Sequence, residues 1–191
     1  MIKLATFMPT YFNNNGDQGN IEVLAKQLEW RGVQYFMTST ELKNSDFLLV
    51  GDGSRAVMSE FESELVAITD LVAERLRTGK ATLLVGSAHE FFCSRLPGLP
   101  ELQEAPRVSE HREVSSGDLR VFGYRNNEID NDLFIEQAFI STSLFGPILA
   151  KNENLLNIVL NSMGVSTELP AVHQSRLALV LQGVRSKALG S

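Results

Sequence analysis

The sequence has a single cysteine, Cys93, and only three histidines, His89, His111 and His173. One thiol excludes an internal disulfide and gives no reason to place the chain in an oxidising compartment. With so few soft ligands, only the His89/Cys93 pair has any ligand-like spacing, and no metal site is expected. Long apolar runs are missing too. Nothing approaches the roughly eighteen uninterrupted apolar residues of a membrane-spanning helix. The run Ile2 to Met8 has no basic segment before it and no small-residue cleavage site after it. It reads as a first strand rather than a signal peptide, and a cytoplasmic protein that neither enters nor crosses a membrane is expected. A cationic stripe is also absent: 17 Lys and Arg lie scattered among 23 Asp and Glu, for a net charge of -6. That argues against a nucleic-acid partner, because phosphate binding relies on clustered cations. There is no internal repeat, low-complexity tract or linker, and the closing Gly190-Ser191 carries no weight.

The residues present have an ordinary globular mix, 43% hydrophobic and 21% charged, and the length of 191 residues suits one well-buried core. One domain over residues 1–191 is expected. Strand-like apolar runs alternate with helical periodicity. Ile2 to Met8 is followed by the turn-prone Asn13-Asn14-Asn15-Gly16-Asp17 and a helix whose Ile21, Leu24, Ala25 and Leu28 share a face and which Gly32 closes. Val33 to Met37 and Phe47 to Val50 read as strands, and Gly51-Asp52-Gly53-Ser54 leads into a long amphipathic helix predicted from Met58 to Arg77. Ala81 to Val85 is a further buried strand, turning at Gly86-Ser87-Ala88 into a helix that reaches Cys93. Arg107 to Val114 and Leu119 to Tyr124 read as antiparallel strands at the sheet edge, Phe139 to Leu144 as another strand, and Leu155 to Met163 and Pro170 to Val184 as helices. This order predicts a three-layer α/β fold: a mostly parallel central sheet, helices on both faces and antiparallel edge strands.

In such a sheet, ligands bind at the carboxyl ends of the strands, where turns into helices expose N–H groups. Three turns qualify: Asn15 to Asn20, Gly51 to Ser54, and Gly86 to His89. A glycine at any one of them is explained by backbone geometry alone.

Taken together they resemble the class I glutamine amidotransferases, in particular the cobyric acid synthase-like branch that includes the amidotransferase subunit of lipid II isoglutaminyl synthase. The resemblance covers nearly the whole chain. The family's early Gly-Asp-x-Gly-Asn motif stands here as Gly16-Asp17-Gln18-Gly19-Asn20, followed by the family-like Leu28-Glu29-Trp30-Arg31-Gly32. Leu48-Leu49-Val50-Gly51-Asp52-Gly53-Ser54 matches the glycine-rich turn whose backbone lies beside the reacting amide. The family's nucleophile elbow, a strand followed by Cys-Gly-Gly, matches Leu83-Leu84-Val85-Gly86-Ser87-Ala88-His89-Glu90, so Gly86 stands in the cysteine's place. Its late His-Gly-Pro matches Phe145-Gly146-Pro147, so Phe145 stands in the place of the base.

Glutamine hydrolysis needs a thiolate, a base and oxyanion-hole donors. The resemblance therefore implies a fold whose first two requirements are missing, and no catalytic residue or cofactor is expected. Candidate ligand contacts, for glutamine or a small carboxylate or amide, are Asp17, Gly19, Asn20, Gly51, Gly53, Ser54 and Ser87. Asp17 matches a family aspartate near the active centre; without Cys and His, a capping carboxylate on the helix starting near Gly19 is the favoured role.

Two rescues are considered: Ser87 as a shifted nucleophile, and Cys93 with His89 four residues earlier on one helical face. The resemblance implies a binding or regulatory subunit for an ATP-dependent amide-forming synthetase, Mur ligase-like or cobyric acid synthase-like, in cell-wall or cobalamin biosynthesis. The alternatives are an active amidotransferase or other amidohydrolase using Ser87 or Cys93, and a pure interaction scaffold.

Overall fold

Phe47-Leu48-Leu49-Val50 and Thr82-Leu83-Leu84-Val85 are fully buried at every position, which strands achieve only when both faces of their sheet are covered. In a computed structural model, described over residues 1–189, these runs form the middle of the molecule. The elements in chain order are β1 (Ile2–Thr6), α1 (Gly19–Trp30), β2 (Tyr35–Thr38), β3 (Phe47–Val50), α2 (Arg55–Glu60), α3 (Glu62–Ala67), α4 (Thr69–Arg77), β4 (Thr82–Val85), α5 (Ser87–Cys93), β5 (Glu104–Ser116), β6 (Leu119–Ile129), β7 (Leu133–Glu136), β8 (Phe139–Thr142), β9 (Leu144–Phe145), α6 (Ile148–Lys151), α7 (Glu153–Ser162) and α8 (Ala171–Leu189).

Six strands form one sheet in the order β2-β1-β3-β4-β8-β7, parallel except for β7. Because side chains alternate along each strand, the core divides in two. Leu4, Leu49, Leu83 and Ile140 meet α1, α6 and α7 on one face. Ala5, Leu48, Leu84 and Phe139 meet α3, α4 and α5 on the other. The expected three-layer α/β arrangement is present. No helix among the described residues is long and apolar enough to cross a membrane.

Several local expectations are corrected. The first strand stops at Thr6, two residues before Met8, whose φ of 41° leaves the extended region. The single helix expected over Met58 to Arg77 is three helices on one track, interrupted at Phe61 and Ile68, where the backbone leaves helical dihedrals. Hydrogen bonds from Leu65 N to Phe61 O and from Val72 N to Ile68 O carry the track across both joints, so its apolar face stays aligned. The segments expected as edge strands of the main sheet belong instead to a second antiparallel sheet, β5-β6-β9, and the main sheet ends on β7. The run expected as one strand from Phe139 to Leu144 divides between the two sheets, β8 ending at Thr142 and β9 starting at Leu144. Ser143 N–H donates to Asp132 O at 3.0 Å, one step past the Leu133/Thr142 pair of the β7/β8 ladder. The expectation attached to Gly190-Ser191 lies outside the described residues.

The amino ends of β3 and β4 are joined by a buried cation. Arg75 of α4 is 1% exposed. It donates to Thr82 Oγ1 at 2.8 Å, to Ser45 O at 3.0 Å and to Ala81 O. No carboxylate touches the guanidinium, and burial lowers its pKa to about 10. Removing it strands several buried acceptors, each with its own desolvation cost. Arg75→Ala is expected to lose about 3 kcal/mol of stability in urea denaturation, and Arg75→Lys to recover little of it, because an ammonium cannot reproduce the planar set of donors.

Candidate functional site

The three turns flagged from the sequence converge at the carboxyl edge of the sheet, and side-chain hydrogen bonds knit them together. Asp17 Oδ2 accepts Asp52 N–H at 2.8 Å, Asp52 Oδ1 accepts Ser87 N–H at 2.9 Å, and Ser87 Oγ accepts Gly53 N–H at 2.8 Å. The second turn thus donates to the first, and the second and third donate to each other. Asp52 Oδ2 also accepts the Asn14 and Asn15 side-chain amides at 3.0 and 2.8 Å.

Gly86 sits between β4 and α5 with φ 59° and ψ -119°, a conformation glycine adopts without steric cost. A β-carbon there would stand 2.5 Å from Asp52 Oδ1 and 2.6 Å from Phe145 Cε1. The space a nucleophilic side chain would need is filled by a carboxylate and an aromatic ring. Phe145 is held in place from β6, where it pairs with Tyr124. The strand change before it is fixed by Asp132, which accepts Ser143 Oγ at 2.7 Å and pairs with buried Arg125 at 3.0 Å.

The remaining candidate residues have structural partners. Asn20 is fully buried: its amide donates to Asp17 O at 2.9 Å and Gly146 O at 3.4 Å, and its oxygen accepts Leu149 N–H at 3.0 Å. A β-carbon on Gly19 would meet Pro147 at 2.9 Å. Gly51 lies under the Phe12 carbonyl and beside Asp17, and Gly53 lies against Val57 and the Phe12 ring. Ser54 caps α2, accepting Val57 N–H at 3.3 Å. Asp17 does not cap α1, contrary to the expectation. The cap residue is Gln18, without a side-chain bond, because the Asp17 carboxylate turns inward to Asp52.

His89 and Cys93 are in contact, with Sγ 3.5 Å from Nδ1. His89 is fully buried, Nδ1 also meeting Ser141 Oγ at 2.8 Å and Nε2 meeting Asn131 O at 2.9 Å. The carbonyl requires a proton on Nε2, leaving Nδ1 as the acceptor. Burial lowers the His89 pKa to about 4 and pushes the Cys93 thiol up to about 12. At neutral pH this is a neutral imidazole beside a protonated thiol, the opposite of an activated pair. His111 stacks near Phe122 and Tyr124, and His173 stacks on Trp30.

A cleft of about 400 Å3 opens beside the Gly86 turn, lined by Asp52, Ser87, Arg55, Glu90, Arg107 and Asn127 among others. Asp52, Asn14 and Asn15 were not among the candidate residues from the sequence. An aspartate between two glycines and a run of three asparagines were the available signals, and both read equally well as turn chemistry.

Asp17 is fully buried, its Oδ2 accepting Asp52 N–H. Burial raises its pKa from 3.8 to about 6, opposed by the Asp52 N–H and reinforced by the Asp52 charge. Its stability contribution is complete below the unfolded value and lost as pH rises through about 6. His89 acts in the other direction: its contribution is present above 6.5 and lost as pH falls through about 4. The two slopes oppose each other in wild type, so the readout is a difference. The stability of Asp17→Asn relative to wild type is expected to improve by about 2 kcal/mol between pH 4 and pH 7 in urea denaturation; parallel curves would refute the assignment.

No family model matches the sequence, and no curated protein matches it. Among solved structures, a glutamine amidotransferase from Thermotoga maritima superposes with a TM-score of 0.50 at 13% identity, covering 98% of this chain and 96% of that one. PurLQS from Thermotoga maritima gives a TM-score of 0.48 at 12% identity, over 85% of this chain and 97% of that one. Sequence order, sheet topology and the near-complete superposition on the first of these agree: the chain has a glutamine amidotransferase-like fold.

Proposed function

We propose that this chain is a catalytically degenerate glutamine amidotransferase-like protein that serves as a binding or regulatory subunit of an ATP-dependent amide-forming synthetase. The observation that carries the reading is the crowding at Gly86, where a β-carbon would stand 2.5 Å from Asp52 Oδ1 and 2.6 Å from Phe145 Cε1. A thiolate and a base are both needed to open the glutamine amide, and neither position carries one. The Ser87 N–H, which would face an oxyanion as the residue after the nucleophile, is taken by the Asp52 carboxylate. The rescues gain no support: the Ser87 hydroxyl accepts Gly53 N–H, and Cys93 is protonated and buried beside a neutral His89. The finer placement, in the cobyric acid synthase-like branch with a Mur ligase-like partner, rests on the Gly16-Asp17-Gln18-Gly19-Asn20 match and is part of the same proposal. So is the pathway, cell wall or cobalamin, in which such a partner receives its ammonia from elsewhere.

The test is ammonia release from glutamine by the purified chain, alone and with a candidate synthetase. Release at background level is expected, unchanged in Ser87→Ala and Cys93→Ala. Release that disappears in either variant would overturn the reading. The crowding itself has a separate signature. Gly86→Cys is expected to cost about 2 kcal/mol or more, through a strained positive φ and overpacking. Phe145→Ala should relieve part of that cost, so the double variant is measurably less destabilised than the sum of the two.

A further inference from the structure

One side chain joins segments far apart in sequence at the carboxyl edge of the sheet. Asp52 Oδ1 accepts Ser87 N–H at 2.9 Å, while Oδ2 accepts the Asn14 and Asn15 amides at 3.0 and 2.8 Å. The Asp52 carbonyl also accepts Asn14 N–H at 3.0 Å. Residues 13–16 are exposed between buried Phe12 and Asp17, so this stretch has no apolar anchor of its own. Charge-assisted bonds to a single carboxylate replace one. Asp52 and Ser87 also line the cleft of about 400 Å3, and Oδ1 stands 2.5 Å from where a β-carbon on Gly86 would lie.

We propose that Asp52 is a latch: its carboxylate holds the 13–17 loop against the Gly86 turn, a contact of one acceptor group with three N–H donors. When the carboxylate leaves, Ser87 N–H and both asparagine amides are released as donors at the edge of the cleft that Asp52 and Ser87 line. The latch concerns the site described above but rests on these hydrogen bonds alone. Ammonia release would overturn the proposed function and leave the latch standing.

Residue-resolved amide exchange by NMR on the full chain tests it, comparing wild type, Asp52→Ala and Asp52→Asn. In Asp52→Ala, the Ser87, Asn14 and Gly16 amides are expected to exchange about tenfold faster or more, with β3 and β4 amides unchanged. An asparagine there keeps one acceptor oxygen, and the Asn14 and Asn15 amides can turn to accept from its N–H. Asp52→Asn, which replaces charge-assisted bonds by neutral ones, is therefore expected to speed the same amides by less than Asp52→Ala, and unchanged exchange in it overturns the proposal if Asp52→Ala does not fold. Unchanged exchange at both ends would overturn the proposal. So would acceleration spread equally over β3 and β4, which would make Asp52 a general stabiliser.

Discussion

A parallel sheet buried on both faces has no side on which to solvate polar groups, and that constraint organises the whole molecule. β3 and β4 are apolar apart from Thr82 and fully buried, so polar groups collect where the strands end. At the amino end one guanidinium, Arg75, answers the carbonyls of Ser45, Asp46 and Ala81. At the carboxyl end three turns arrive together, each with N–H groups that the sheet cannot satisfy. Here the chain answers them with its own side chains. Asp17, Asp52 and Ser87 take the Asp52, Ser87 and Gly53 amides in turn.

That self-satisfaction ties up the donors at this edge. An active site keeps donors aimed at empty space, where a reacting oxygen will sit. Here the donor beside the elbow is filled by a carboxylate, and the space above Gly86 is filled by Phe145. The electrostatics agree with the geometry. The one thiol and its neighbouring imidazole lie in a buried environment that suppresses both charged forms, so burial favours the unreactive states.

The order of elements was legible because it depends on local periodicity. The Ile21/Leu24/Leu28 face became α1, and the fully apolar runs became central strands. Gly86 was legible as a strand-to-helix turn for the same reason. Boundaries set by distant partners were not. Phe139 to Leu144 reads as one strand, yet it divides at Ser143 between two sheets, with Ser143 Oγ bonded to Asp132. Asp17 reads as a helix cap, yet the Asp52 amide, 35 residues away, draws its carboxylate inward.

By itself, then, the sequence determined the alternation of strands and helices and the three glycine-bearing turns between them. These follow from residue type and spacing within a few turns of chain. Only the tertiary structure decided that the space around Gly86 is filled. Asp52 and Phe145 reach Gly86 from the turn after β3 and from β9, 34 and 59 residues away. Contacts across such separations are set by sheet order and strand pairing, which no local pattern encodes.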